Sequence, residues 1–226
     1  MAADSLRARM LRGEILSGTF VKTPSHDIIE IMALSGLDFV TVDTEHAPFD
    51  RGRLDACLAV ARALDFPVLV RVPSGDRQEI LKVLDSGATG VVVPRVDSLE
   101  KAEEVARWSR FGHGGRGFAG STRWAGFATR KMPEILAQSE EETVVVVQIE
   151  EPEGVDCCDA IAAVTGVDGL FVGPADLAAV MALQISVTNL SAMPLPVLAQ
   201  LVKRTTKPVL LSHLIPPRQR LSLIHI

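Results

Sequence analysis

Short runs of apolar, largely β-branched residues recur along this chain, and the stretches between them return apolar residues at helical spacing. The runs are Gly18–Val21, Asp38–Asp43, Pro67–Arg71, Gly90–Pro94, Thr143–Glu150 and Asp168–Gly173. Several, such as VVVP from Val91 and VVVVQI from Val144, lack polar alternation, which suits parallel strands covered on both faces. After Asp50, the residues Leu54, Cys57, Leu58, Ala61 and Leu64 share one helical face. Asp76 and Glu79 read as a capping box ahead of Ile80, Leu81 and Leu84, with Gly87 as the stop. Ser98 reads as the cap of a helix running to about Arg110, and Pro152 as the first residue of another holding Val155, Ile161 and Val164.

The order is thus strand then helix, six times over. Such a pattern gives either a doubly wound sheet or a closed barrel. No GxGxxG or Walker sequence follows the first strand, so the nucleotide-binding sheet loses support. The expected fold is α/β, a (β/α)8 TIM barrel, present here as about six β/α units. The long interval from Gly90 to Thr143 holds a helix and then the Gly- and Arg-rich stretch Gly112–Phe127. Loops of that length are usually functional lids or mobile segments, and Arg116, Arg123 and Trp124 are candidates to line the pocket. Past Met181 the chain turns to Leu, Ser, Thr and Pro without amphipathic period. The expected division is residues 1–181 as the barrel unit and 182–226 as an aberrant tail, out of frame or artefactual. Its last residues, Leu221–Ile226, match what a sequencing-library adapter encodes. Lys207–Leu214 offers a makeshift seventh strand, and an eighth has no candidate.

Composition narrows the classes. Hydrophobic residues make up 47% of the 226, enough for a sizeable core. A net charge of −5 without a basic block argues against nucleic acid as partner. No apolar run is long enough to span a membrane, and the N-terminus lacks a secretory apolar region, so a cytoplasmic location is expected. Cys57, Cys157 and Cys158 form neither a disulfide framework nor a CxxC site.

In a barrel the C-terminal strand ends face one catalytic rim. Those ends read Asp43-Thr44-Glu45-His46, Arg71, Pro94-Arg95, Gln148-Ile149-Glu150 and Gly173-Pro174-Ala175-Asp176. Glu150 and Asp176 follow successive strands, close enough to share a hard divalent cation, or Asp176 caps one helix and Glu151 or Glu150 another. His46 beside Asp43 and Glu45 is a candidate general base, held by a carboxylate. Arg71 closes a buried strand and needs an anion, either a structural acid such as Asp85 or a substrate oxygen.

DTEHAPFD from Asp43, VLVRVPSGD from Val68, VLDSGATGVVVPRVDS from Val83, GGRGFAG from Gly114, VVQIEEPEG from Val146 and GLFVGPADLA from Gly169 together carry a resemblance. Across Gly13 to Met181 the chain resembles the metal-dependent HpcH/HpaI-type aldolases, which include 4-hydroxy-2-oxoheptanedioate and 2-keto-3-deoxy sugar acid aldolases. The resemblance implies a (β/α)8 barrel and a homohexamer of dimers that exchange C-terminal helices, where this sequence departs from the pattern. It implies a divalent metal, Mg²⁺ or Mn²⁺ with Co²⁺ as a third candidate, held by Glu150 and Asp176. His46 matches the catalytic base with Asp43 as its orienting partner, and Arg71 the arginine beside the pyruvate oxygen. Gln148, Gly173 and Pro174 match pocket-wall positions. The implied reaction is reversible cleavage of a 4-hydroxy-2-oxo acid to pyruvate and an aldehyde through a metal-stabilised pyruvate enolate. Three alternatives stand beside it. One is a Schiff-base aldolase, for which Lys22 is the only rim candidate. The others are a citramalyl- or malyl-CoA-type lyase and a non-catalytic truncated barrel.

Overall fold

The computed structural model of the chain describes residues 4–173, together with 176, 177, 180, 209–211 and 223–225. Six parallel strands alternate with helices as the apolar runs predict: β1 (Gly18–Val21), β2 (Phe39–Asp43), β3 (Val68–Arg71), β4 (Gly90–Val93), β5 (Val144–Ile149) and β6 (Gly169–Val172). Each strand pairs in parallel with the next, in chain order. Two three-residue strands, β7 (Val209–Leu211) and β8 (Leu223–His225), extend that order. β7 falls within the expected makeshift segment. β8 corrects the expectation that no eighth strand was available: strand pairing draws on backbone groups, which any short extended segment supplies. β8 comes up against β1, with no ladder between the two among the described residues. Among the described residues no helix is long and apolar enough to cross a membrane.

The helices are α1 (Leu6–Leu11), α2 (His26–Ala33), α3 (Arg51–Ala63), α4 (Arg77–Asp85), α5 (Leu99–Trp108), α6 (Met132–Glu142), α7 (Pro152–Asp156) and α8 (Cys158–Ala163). Ser98 caps α5 as expected, its side chain accepting from the Lys101 N–H. Asp50 caps α3 in the same way through Arg53. Asp76 sits at the start of α4, but its carboxylate turns to the Ser74 hydroxyl at 2.6 Å, so the expected capping box is not made. Gly87 ends that helix at φ 105°, a conformation few other residues adopt. α6 occupies a segment for which the sequence reading assigns nothing.

The sheet separates two cores. Outward residues such as Val40, Val70, Val91, Val93, Val145 and Val147 pack under the helices. Inward residues Phe39, Leu69, Val92, Val144, Val146 and Phe171 fill the barrel, with Leu6, Met10 and Leu16 of the N-terminal segment against them. Side chains alternate along a strand, so the inward set continues up the strands by steps of two. It then reads Thr41 and Asp43, Arg71, Gln148 and Glu150, and Gly173. The barrel interior is therefore apolar where the strands begin and polar where they end. That gradient brings the candidate groups to one rim.

The long loop does not behave as a lid. The Arg116 guanidinium is buried, pairs with Asp85 at 2.5 Å and lies over the rings of Phe111 and Trp124. Trp124 is buried with Ala125 and Ile135 of α6, and Arg123 pairs with Asp55 of α3 at 2.9 Å. The loop is anchored to the outer helices, so Arg116, Arg123 and Trp124 serve packing rather than the pocket. Asp85, the structural partner considered for Arg71, is held by Arg116 instead.

Candidate active site

Asp43 ends β2 and is fully buried. Its register partner on β3 is Arg71, which donates through Nε at 3.0 Å to Oδ1 and through Nη2 at 2.7 Å to Oδ2. This two-pronged pair suits the planar guanidinium fork. Oδ1 also accepts the backbone N–H groups of Glu45 and His46, at 3.2 and 3.1 Å, and Lys22 Nζ stands 3.4 Å from Oδ2. Burial pushes the Asp43 carboxyl up, but the Arg71 hydrogen bonds, the His46 N–H and the nearby cations outweigh it and hold the group below the usual carboxylate range. The Arg71 guanidinium rests on the Phe20 ring, 4.9 Å from its centroid. Its Nη1 has no hydrogen-bond partner among the described residues.

Asp43 thus meets His46 through the backbone and not through the ring. The imidazole is 52% exposed, and the acid it faces is Glu45, whose Oε2 lies 3.7 Å from Nε2. Glu45 is itself nearly buried, with Arg71 Nε at 3.4 Å and Arg95 Nη2 at 3.7 Å.

Glu150 follows β5 and is 5% exposed. Its Oε1 accepts the Arg95 N–H at 2.8 Å, and its Oε2 accepts from Gln148 Nε2. Arg95 makes that bond from φ 54°, a strained conformation for a residue with a side chain. Among the described residues neither Glu150 oxygen caps a helix. Gly173 stands against the pair: a Cβ there would lie 2.9 Å from Glu150 Cβ and 3.1 Å from Gln148 Nε2. Burial is the largest influence on Glu150 and pushes its carboxyl up; the Arg95 N–H opposes this, and the carboxylates of Asp176 and Glu45 add to it. Asp176 is exposed, in helical backbone, and faces Glu150 closely enough for that repulsion. Pro174 lies outside the described residues.

Asp43, Glu45, His46, Arg71, Gln148, Glu150, Gly173 and Asp176 therefore gather at the C-terminal mouth. Lys22 is there too, but it is 59% exposed and paired with a carboxylate, the opposite of the desolvated setting a Schiff-base lysine needs. Among the described residues no three His, Cys, Asp or Glu converge as a closed protein cage for a metal would. Two facing carboxylates with open positions instead fit a hard cation that keeps water and takes ligand oxygens. The repulsion between the Glu150 and Asp176 carboxylates is what such a cation would neutralise.

The sequence places Glu45 and Arg95 at the rim without marking either for a role of its own. Glu45 stood next to the more conspicuous His46. Arg95 contributes a backbone N–H, which no residue type announces.

The HpcH/HpaI aldolase/citrate lyase family model matches residues 16–190. A 4-hydroxy-2-oxovalerate aldolase of Novosphingobium aromaticivorans is 37% identical over 183 residues, covering 78% of this chain and 67% of the relative. A hydroxypyruvate/pyruvate aldolase of Roseovarius nubinhibens is 34% identical over 178 residues, covering 79% and 69%. The crystal structure of an HpcH/HpaI aldolase/citrate lyase family protein from Burkholderia cenocepacia superposes with a TM-score of 0.83 at 31% identity, covering 92% of this chain and 84% of that one.

Proposed function

This chain belongs to the HpcH/HpaI aldolase/citrate lyase family of carbon–carbon lyases, and on that footing we propose that it cleaves a 4-hydroxy-2-oxo acid reversibly to pyruvate and an aldehyde. The observation that supports the reading is Glu150: a buried carboxylate at the end of β5, held by the Arg95 N–H and Gln148, whose carboxyl is pushed up by burial and by the nearby carboxylate of Asp176.

Glu150 and Asp176 would hold a divalent cation such as Mg²⁺ or Mn²⁺. A cation there would supply Lewis acidity toward the 2-oxo and carboxylate oxygens of the substrate. The protein groups do the rest. Arg71, fixed by Asp43, offers Nη1 to the 2-oxo oxygen, where negative charge develops. His46 takes the proton of the 4-hydroxyl as the C3–C4 bond breaks, which releases the aldehyde and leaves pyruvate as its enolate. A proton delivered to C3 then completes pyruvate, and synthesis retraces these steps. Gln148 and Gly173 form the wall that fixes Glu150. The reading also carries a homohexameric assembly and an aldolase unit ending near Met181.

The test is pyruvate release from a panel of 4-hydroxy-2-oxo acids, with added Mn²⁺ and after chelation, with citramalyl- and malyl-CoA as the other arm. Metal-dependent release, lost in Glu150→Ala and Asp176→Ala, is expected. Chelator-insensitive release with borohydride trapping at Lys22 would sink the reading, as would turnover of the CoA thioesters alone.

A further inference from the structure

Arg95 has a backbone duty that does not explain its side chain. Its N–H donates to Glu150 Oε1 at 2.8 Å, and its carbonyl accepts from Lys101 Nζ at 3.4 Å. The residue makes these bonds from φ 54°. Glycine reaches that region freely, whereas a Cβ makes it unfavourable. A glycine would therefore give Glu150 the same N–H without strain. An arginine held in a strained conformation beside a site points to work for the side chain itself.

The guanidinium reaches the mouth. Its Nη2 lies 3.7 Å from Glu45 Oε1, and the other oxygen of that carboxylate lies 3.7 Å from His46 Nε2. Glu45 thus stands between the imidazole and the guanidinium. A separation of 3.7 Å is longer than a charge-assisted hydrogen bond, so among the described residues no carboxylate takes the Arg95 fork.

The groups of the mouth follow the order of the substrate atoms. The Glu150–Asp176 end belongs to the C1 and C2 oxygens, Arg71 to the 2-oxo oxygen and His46 to the hydroxyl on C4. Arg95 is the next cation past His46, separated from it by Glu45. Lys22, the other exposed cation, stands beside the Arg71–Asp43 pair instead. What extends beyond C4 is the half of the substrate that leaves as the aldehyde.

We infer that the Arg95 guanidinium is a specificity determinant that selects substrates whose aldehyde half ends in a carboxylate. The planar fork meets a carboxylate with two N–H groups, and an uncharged chain end of the same length gives it nothing to hold. The inference rests on the aldolase reading above and adds the class of aldehyde to it.

Two measurements test it, each taken as a ratio, so that a loss common to both ligands through Glu150 cancels. The first is calorimetric binding of 2-oxoheptanedioate, which lacks the 4-hydroxyl and is not cleaved. It is compared with 2-oxoheptanoate, which ends in a methyl group at the same length. The second is kcat/KM for joining pyruvate to 4-oxobutanoate, against the methyl ester of that aldehyde, with added Mn²⁺. The wild type should favour the carboxylate by about 10- to 100-fold in each, the scale of a charged hydrogen bond. Arg95→Met, which keeps the N–H to Glu150, should bring both ratios close to unity. Arg95→Lys should keep part of the preference, because a point charge lacks the fork. Lys22→Met should show the wild-type ratios. No preference in the wild type, or wild-type ratios in Arg95→Met, would overturn the inference. So would loss of the preference in Lys22→Met instead. Loss of the wild-type assembly in Arg95→Met, read by sedimentation, would overturn it too, since the guanidinium is then an interface group. If the wild type joins neither aldehyde to pyruvate, the aldolase reading fails, while the binding ratio still decides what Arg95 recognises.

Discussion

Replacing Arg71 by Met removes one half of a buried ion pair and leaves the other half in place. Asp43 is fully buried, so it cannot recover hydration. Breaking such a pair from one side typically costs ~3–5 kcal/mol. Three donors survive the substitution: the N–H groups of Glu45 and His46 and the ammonium of Lys22 at 3.4 Å. They place the expected loss at the low end, about 3 kcal/mol. For a chain of this size that lowers Tm by roughly 6–12 °C. The sign with pH follows from Asp43, whose carboxyl is held low in the folded protein. Its stabilising contribution is complete above the unfolded carboxylate value of ~3.9 and is lost as pH falls through the folded value. The gap between wild type and Arg71→Met is therefore widest near neutrality and narrows on acidification. Thermal and urea melts of Arg71→Met, Asp43→Asn and the double variant, near neutral and acid pH, measure this. The double variant should recover part of the loss, because Asp43 is no longer stranded although Glu45 still loses the guanidinium 3.4 Å away. The reasoning fails if Arg71→Met melts within about 2 °C of wild type at neutral pH, or if the double variant shows the sum of the single losses.

His46→Ala should slow pyruvate release ~10²–10⁴-fold, the range for losing a positioned base, without lowering the melting temperature of so exposed a side chain. Gly173→Ala forces a methyl to 2.9 Å from Glu150 Cβ, so it should destabilise by ~1–3 kcal/mol and weaken Mn²⁺ binding, read by calorimetry. Glu150 is shifted upward, so its ionised form is disfavoured by the fold: stability present below the unfolded carboxylate value is lost as pH rises through the folded one. Metal-free Glu150→Gln should then melt above wild type at neutral pH, and equal or lower melting would contradict the shift. Arg116→Met should destabilise by ~1–3 kcal/mol through the loss of its charged hydrogen bonds to Asp85, while KM for the cleaved acid stays unchanged. A large rise in KM would restore the long loop to a role at the mouth.

The local sequence specifies the six strands, because a run of β-branched residues covered on both faces has few alternatives to a parallel sheet. It also places the polar residues at the strand ends, since charged side chains interrupt an apolar run visibly: Asp43 and His46, Arg71, Gln148 and Glu150 stand out for that reason. What a continuous apolar run conceals is which of its two faces turns inward. Only the curled sheet decides that Thr41, Asp43, Arg71, Gln148 and Glu150 share the interior, and that Val40, Val70 and Val147 do not. Partner choice among charges is likewise a long-range matter. Asp85 is the structural acid the sequence suggests for Arg71, yet strand register puts Asp43 directly opposite and the docked loop gives Asp85 to Arg116. The loop from Gly112 to Phe127 has the composition of a lid, and tertiary packing makes it an anchor because Trp124 and Arg116 find burial against the outer helices. Asp43, the acid that the chain order offers to the His46 ring, is instead filled by Arg71 and two backbone N–H groups, a competition for acceptors that exists in three dimensions and leaves no mark in the order of residues.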